Sequence, residues 1–239
     1  MIDSSEELAN KCRNSFSVSN NDMKKSEVRL LDIEKDSKEK FKTIFHCIYE
    51  YSVWGDNSIN NYKGGSGGGS DLSYNLTTYV PFLKSFIAGH QIQSVADLGC
   101  GDFLCGPYIY DSLNTDYNGY DTYSKIIEYN QQNFNNYCFH HIDIFNEWQQ
   151  IDPADLCILK DVLQHWRTED IYTFLDSIAL SKKFKYIMIC NCCDQEEDNI
   201  DLVVTGGFRK LSADFYPLQR YDPIKLYKYN TKEISLIIC

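Results

Sequence analysis

Val95-Ala96-Asp97-Leu98-Gly99-Cys100-Gly101-Asp102 reads as a buried strand running straight into a glycine turn, with carboxylates on both sides. Gly99 and Gly101 allow backbone angles that other residues resist, so a ligand can approach the main chain closely there. About 20 residues on, a second run, Tyr117-Asn118-Gly119-Tyr120, ends in Asp121, a placement that suits a grip on two ribose hydroxyls. A third, Cys138-Phe139-His140-His141-Ile142, ends in Asp143. Three strands with acids at their C-terminal ends place those acids along one edge of a parallel sheet. Ligands bind at that edge in open α/β folds.

The turn is not a dinucleotide fingerprint, because Leu104 fills the third glycine slot and Gly106 comes two residues late. It also lacks the Lys and Ser/Thr of a phosphate-binding loop. With no phosphate to cradle, Asp97 and Asp102 suit a cationic or amine-bearing ligand. Downstream, Asp155-Leu156-Cys157-Ile158-Leu159-Lys160 reads as a central strand and leads into Asp161-Val162-Leu163-Gln164-His165-Trp166. A helix of about thirteen residues opens at Thr168 or Glu169, with Ile171, Phe174, Leu175 and Ile178 on one face. Tyr186 to Cys192 makes a fifth strand. Ile224 to Tyr229, a turn at Asn230-Thr231-Lys232 and Ile234 to Cys239 form a terminal hairpin. The segment from Asn199 to Tyr221, holding Thr205-Gly206-Gly207-Phe208-Arg209, is the natural substrate-recognition loop.

Taken together, Asp97-Leu98-Gly99-Cys100-Gly101-Asp102, Asp121, Asp143 and the Asp155–Asp161 segment resemble the class I S-adenosylmethionine-dependent methyltransferases over roughly residues 50 to 239. The resemblance implies a three-layer, Rossmann-like α/β fold: a seven-stranded, mostly parallel sheet with a C-terminal antiparallel hairpin. It implies S-adenosylmethionine (SAM) as cofactor, with Gly99 and Gly101 under its methionine part, Asp121 on the ribose, and Asp143 with Ile144 beside the adenine. Asp97, Cys100, Thr122 and Lys160 complete the cofactor-contacting set on those strand ends.

Upstream, Phe41, Ile44, Phe45, Ile48 and Tyr49 recur at helical spacing and predict an amphipathic helix from about Lys38 to Tyr51. Trp54-Gly55 and the run Gly64-Gly65-Ser66-Gly67-Gly68-Gly69-Ser70 follow. In isolation that run is a flexible spacer. Placed before a helix with Ser70 or Asp71 as its N-cap, it instead gathers free backbone N–H groups. A subset of the same family carries a similar Trp-Gly…Ser-Gly-x-Gly-Ser segment, which implies that residues 64–70 form a lid with Trp54, Gly67 and Ser70 on the cofactor. Residues 1–36 are polar and mixed in charge, a loosely ordered extension ahead of one domain over 37–239.

Methyl transfer from a sulfonium needs alignment above all, and a base only if the acceptor is protonated. Lys160, Asp161, His165 and Arg209 are the candidates. Asp161 follows the fourth strand, and His165, four residues on, shares its face if a helical turn starts there. His165 suits proton transfer near neutral pH, with Asp161 supporting it; the alternative is that His165 and Trp166 pack against the sheet. Arg209 either clamps an anionic substrate group or pairs with an acid of the protein.

A net charge of −11 repels phosphate backbones, and Lys182-Lys183-Lys185 and Arg209-Lys210…Arg220 are thin basic patches, which argues against a nucleic-acid partner. No Asn-Pro-Pro-Tyr motif follows the fourth strand; Lys160-Asp161-Val162-Leu163 stands there, which disfavours methylation of exocyclic amino groups. A small-molecule or sugar hydroxyl, or an amine, leads as acceptor. The alternatives are an RNA or protein methyltransferase, and a non-catalytic partner subunit. Ten cysteines and no leader are read as reduced thiols in a cytoplasmic protein without a membrane anchor. Cys190, Cys192 and Cys193 lie on a strand whose alternate residues face opposite ways, so no metal site is expected.

Overall fold

The computed structural model describes residues 40–55, 64–198 and 201–239. The proposed extension over 1–36 lies outside them. Seven strands form one sheet in the order β3-β2-β1-β4-β5-β7-β6. They are β1 (Ser94–Leu98), β2 (Asp116–Asp121), β3 (Cys138–His141), β4 (Ala154–Lys160), β5 (Phe184–Cys192), β6 (Ile224–Tyr229) and β7 (Lys232–Ile238). Pairs among β1 to β5 are parallel, while β7 runs antiparallel to both β5 and β6. This is the expected architecture, hairpin included.

The central strands are apolar on both faces because both are covered. On β4, Leu156 and Ile158 join one core with Leu83, Phe86 and Ile87 of α3 (Tyr79–Gly89) and Ile126 and Ile127 of α5 (Ser124–Asn133). Cys157 and Leu159 face the opposite core with Phe174 and Ile178 of α6 (Thr168–Leu180). The alternation of one strand thus divides the two helical layers.

Helix α1 (Lys40–Glu50) falls where the apolar spacing places it, and Phe41 packs edge-on to Trp166 at 4.7 Å. Lys40 Nζ donates to both carboxylate oxygens of Asp170, at 2.6 and 2.8 Å, tying α1 to the start of α6. The helix expected straight after the Gly/Ser run is broken up. Gly68–Ser70 is a single 3-10 turn, α2 (Leu72–Asn75) has four residues, and Asp71 makes no side-chain cap. A further short helix, α4, spans Gly106–Tyr110.

Among the described cysteines, eight carry free thiols, but Cys47 on α1 is disulfide-bonded, contrary to the expectation of reduced thiols throughout. No metal cluster occurs among the described residues, and none of their helices is long and apolar enough to cross a membrane.

Candidate active site

The chain leaves β1 toward β2 and β3 on one side and returns to β4 and β5 on the other, so the direction of winding reverses between β1 and β4. Such a switch point opens a crevice at the strands' C-terminal ends. A cavity lies there and holds about 840 Å³ of empty space, its open mouth included.

Its floor is the turn after β1. Gly99 has φ +80° and Gly101 φ +56°, the left-handed region that favours glycine. A Cβ at Gly99 would lie 2.6 Å from Val162 Cγ2, so the close approach of β1 and β4 requires glycine there. The turn is pinned from β2: Gly99 and Cys100 donate to the Tyr120 carbonyl at 2.7 and 3.1 Å, and Gly101 N–H to Asp121 Oδ2 at 3.1 Å. Asp121 Oδ1 accepts from Tyr123 N–H at 3.1 Å. Each carboxylate oxygen therefore keeps lone pairs beyond its backbone bond, and both Asp121 and Thr122 line the cavity. Thr122 Oγ1 is buried and has no hydrogen-bond partner. Asp143, capping Phe145 and Asn146 N–H, and Ile144 close that side.

The Gly/Ser run is part of the cavity wall. Ser66 Oγ accepts from Asp102 N–H at 3.1 Å, and Ser66 and Ser70 face the cavity. Ser70 Oγ donates to the Gly67 carbonyl at 2.7 Å, and the Gly69 carbonyl accepts from Lys160 Nζ at 2.6 Å. A Cβ at Gly64 would meet the Tyr49 carbonyl oxygen at 2.3 Å, and one at Gly69 would meet Asp161 Oδ2 at 2.5 Å. Such contacts require glycine and are foreign to a solvated spacer. Gly67 shapes this turn at φ +81° but is not itself in the lining. Phe41, Phe45 and Tyr49 of α1, with Trp54, roof the cavity.

Burial dominates the acids beneath. It pushes Asp97 up to about 6 against the hydrogen bond from Tyr117 Oη, and Asp102 likewise to about 6. Both carboxyls take up protons more readily folded than unfolded. As pH rises from about 4 to about 6 the fold therefore loses stability, by up to about 3 kcal/mol for each two-unit shift. Chemical denaturation across that window should show wild type losing stability relative to Asp102→Asn; parallel profiles would contradict the assignment.

At the end of β4, burial pushes Asp161 up, but Lys160 and Lys232 outweigh it and hold the carboxyl at about 2. Lys160 Nζ donates to Asp161 Oδ2 at 2.9 Å and Lys232 Nζ to Asp161 Oδ1. Burial works against the Lys160 ammonium, but Asp161 reverses that and raises its pKa. Asp161 sits at φ +60°, and Leu163–His165 is one 3-10 turn, so no helix face joins Asp161 to His165 as the four-residue spacing predicts. Asp161 lines the cavity as the centre of an ion cluster. Its side-chain hydrogen bonds go to Lys160 and Lys232 and not to His165.

His165 is in the wall, its ring 4.6 Å from that of Trp54. Its Nδ1 lies 2.7 Å from the Gly207 carbonyl, which can only accept, so Nδ1 carries the proton and Nε2 the lone pair. Gln164 fixes the other side: its Oε1 accepts from Cys192 N–H at 3.0 Å, which turns its amide nitrogen to His165 Nε2 at 3.4 Å. Burial lowers the imidazole pKa against the pull of the Gly207 bond and Asp161, so the ring is neutral at neutral pH.

Arg209 is not in the lining. Its guanidinium is buried and donates to the Trp166 carbonyl and Thr168 Oγ1, at 2.8 and 2.9 Å, with Asp201 3.2 Å away. Of the two roles open to it, the structure places it in the ion-pairing one. The segment expected to recognise substrate runs beside His165, where Gly206 N–H donates to the His165 carbonyl at 2.7 Å and the Phe208 ring lies 6.1 Å from the imidazole. Sequence reasoning missed Lys232, Gln164 and Gly207. Lys232 reads as a turn residue, and only its near-complete burial at the start of β7 reveals it.

No protein-family model matches the chain, and no curated protein matches it. Solved structures do. The magnesium protoporphyrin IX methyltransferase of Synechocystis PCC 6803, solved with bound SAM, superposes with a TM-score of 0.56 at 15% identity, covering 82% of this chain and 96% of that one. A putative O-methyltransferase from Nostoc punctiforme gives 0.54 at 10% identity, over 88% of this chain and 72% of its own. The methyltransferase domain of bacterial CtHen1 gives 0.52 at 10% identity, over 71% and 100%. With its strand order, reversed hairpin and switch-point cavity, the chain has the fold of the class I S-adenosylmethionine-dependent methyltransferases.

Proposed function

We propose that the protein is an S-adenosylmethionine-dependent methyltransferase acting on a small-molecule acceptor through a hydroxyl group. One observation carries this reading: the glycine turn, Asp121 with Thr122, and Asp143 with Ile144 converge from three successive strands on a single roofed cavity. The donors and acceptors present fit the cofactor. Asp121 has lone pairs for ribose hydroxyls, and the unpartnered Thr122 Oγ1 beside it lacks a bond that such a ligand can supply. Carboxylates at the cavity favour a cation, and Ile144 and Val162 offer apolar contact.

Asp121, Thr122, Ile144 and the Gly99–Gly101 turn would hold SAM, which would supply a sulfonium methyl group for displacement by the acceptor oxygen, the carbon–sulfur electron pair leaving with sulfur. The acceptor's proton goes to His165 Nε2, the one ring nitrogen with a lone pair, and the Gln164 amide that donates to it at 3.4 Å gives way as the proton arrives. Asp161, held at about 2, stays ionised and is no base at neutral pH. It steadies Lys160, which in turn holds the Gly/Ser turn through the Gly69 carbonyl.

Two measurements bear on this. Incubation with methyl-labelled SAM and a panel of small hydroxyl compounds, sugars, amines, RNA and protein, followed by mass spectrometry, should place label on a small hydroxyl acceptor. Label on RNA or protein alone, or on nothing, would overturn the assignment. Residues 64–70 act as a lid in this account, so their amides should gain hydrogen-exchange protection when cofactor binds; equal exchange with and without it would return them to a passive wall.

A further inference from the structure

We infer that the acceptor is an aromatic hydroxyl compound, a phenol rather than a sugar, held against Trp54, His165 and Phe208. This deepens the methyltransferase reading and rests on it. Rings lead outward from the roof: Phe45 lies 5.9 Å from Trp54, Trp54 4.6 Å from His165, and His165 6.1 Å from Phe208. Phe208 is 57% exposed, an apolar ring left in water beside the proposed base. It is held in place, because the Gly207 carbonyl before it accepts from His165 Nδ1–H and Arg209 N–H after it donates to the Gln164 carbonyl at 3.1 Å.

The polar groups near this run are already engaged. Asp161 is matched by two lysines, Gln164 by Cys192 and His165, and Arg209 by Trp166, Thr168 and Asp201. A sugar would bring several hydroxyls to a wall that offers ring faces, and each unmatched hydroxyl costs desolvation. An aromatic body brings a face, and offset or edge-on ring contacts stabilise beyond the area they bury. Proton transfer argues the same way. A buried imidazole whose lone pair already receives an amide N–H is a weak base. A phenol, ionising near pH 10, yields its proton to such a base far more readily than an alcohol does.

The test uses the full chain, with 2-naphthol and catechol as phenol probes and methyl α-D-glucoside as the sugar probe. Calorimetry on protein saturated with S-adenosylhomocysteine should show the phenols binding and the glucoside not. With labelled SAM, the label should appear on a phenol oxygen. Phe208→Ala should raise the acceptor KM by about tenfold with SAM affinity unchanged, and Phe208→Trp should restore it. Methylation of the glucoside, absence of phenol binding, or an unchanged KM in Phe208→Ala would overturn the inference. Failure to bind SAM would instead strike the methyltransferase reading beneath it, and phenol binding to the cofactor-free protein would still decide what the ring-lined wall accepts.

Discussion

Replacing His165 with alanine should lower methyl transfer to a hydroxyl acceptor by roughly 10²–10⁴-fold and leave SAM affinity nearly unchanged. The magnitude is that of losing a positioned general base. The sign of its pH dependence follows from burial, which lowers the imidazole pKa below its ordinary 6.5. Wild-type turnover should fall only on the acid side of that value, and the variant should lack this limb. Because the ring also touches Trp54, a second variant separates chemistry from packing. His165→Asn keeps an amide donor for the Gly207 carbonyl but has no basic nitrogen, so it should stay folded and stay slow. Near-normal turnover in either variant would mean that alignment alone drives transfer.

Asp121→Ala should weaken SAM binding by roughly ten- to a hundred-fold, the equivalent of about 1.5–3 kcal/mol for hydrogen bonds to a charged group. The same carboxylate receives Gly101 and Tyr123 N–H, so its loss also loosens the turn. Asp121→Asn keeps one acceptor oxygen and should fall between wild type and alanine. Calorimetry of the three proteins measures this, and equal affinities would remove Asp121 from the cofactor site.

The sheet is legible in the sequence wherever local pattern and tertiary need coincide. Leu156 to Leu159 is apolar at every position because β4 is covered on both faces, and that is a property of sequence. Asp121 and Asp143 reveal themselves by ending strand-like runs, and Gly99 and Gly101 by their spacing. Contacts between distant segments leave no such trace. Lys232 meets Asp161 across 71 positions, and the lysine reads as one more hairpin polar residue until β7 is laid beside β5. Arg209 in a glycine-rich loop looks free to grip a substrate, whereas the fold buries it under Trp166. The spacing of Asp161 and His165 predicts a helical face, but the left-handed turn at Asp161 leaves the strand at another angle. The Gly/Ser run has a flexible composition, and only its neighbours show why: Tyr49 and Asp161 stand where side chains would otherwise go.

Titrating SAM into the intact chain by calorimetry tests the central claim most directly. The account predicts saturable binding to one site, weakened in Asp121→Ala as above. Absence of binding by the intact, folded protein would contradict it, for the glycine turn, the three strand-end acids and the roof of α1 would then enclose something else.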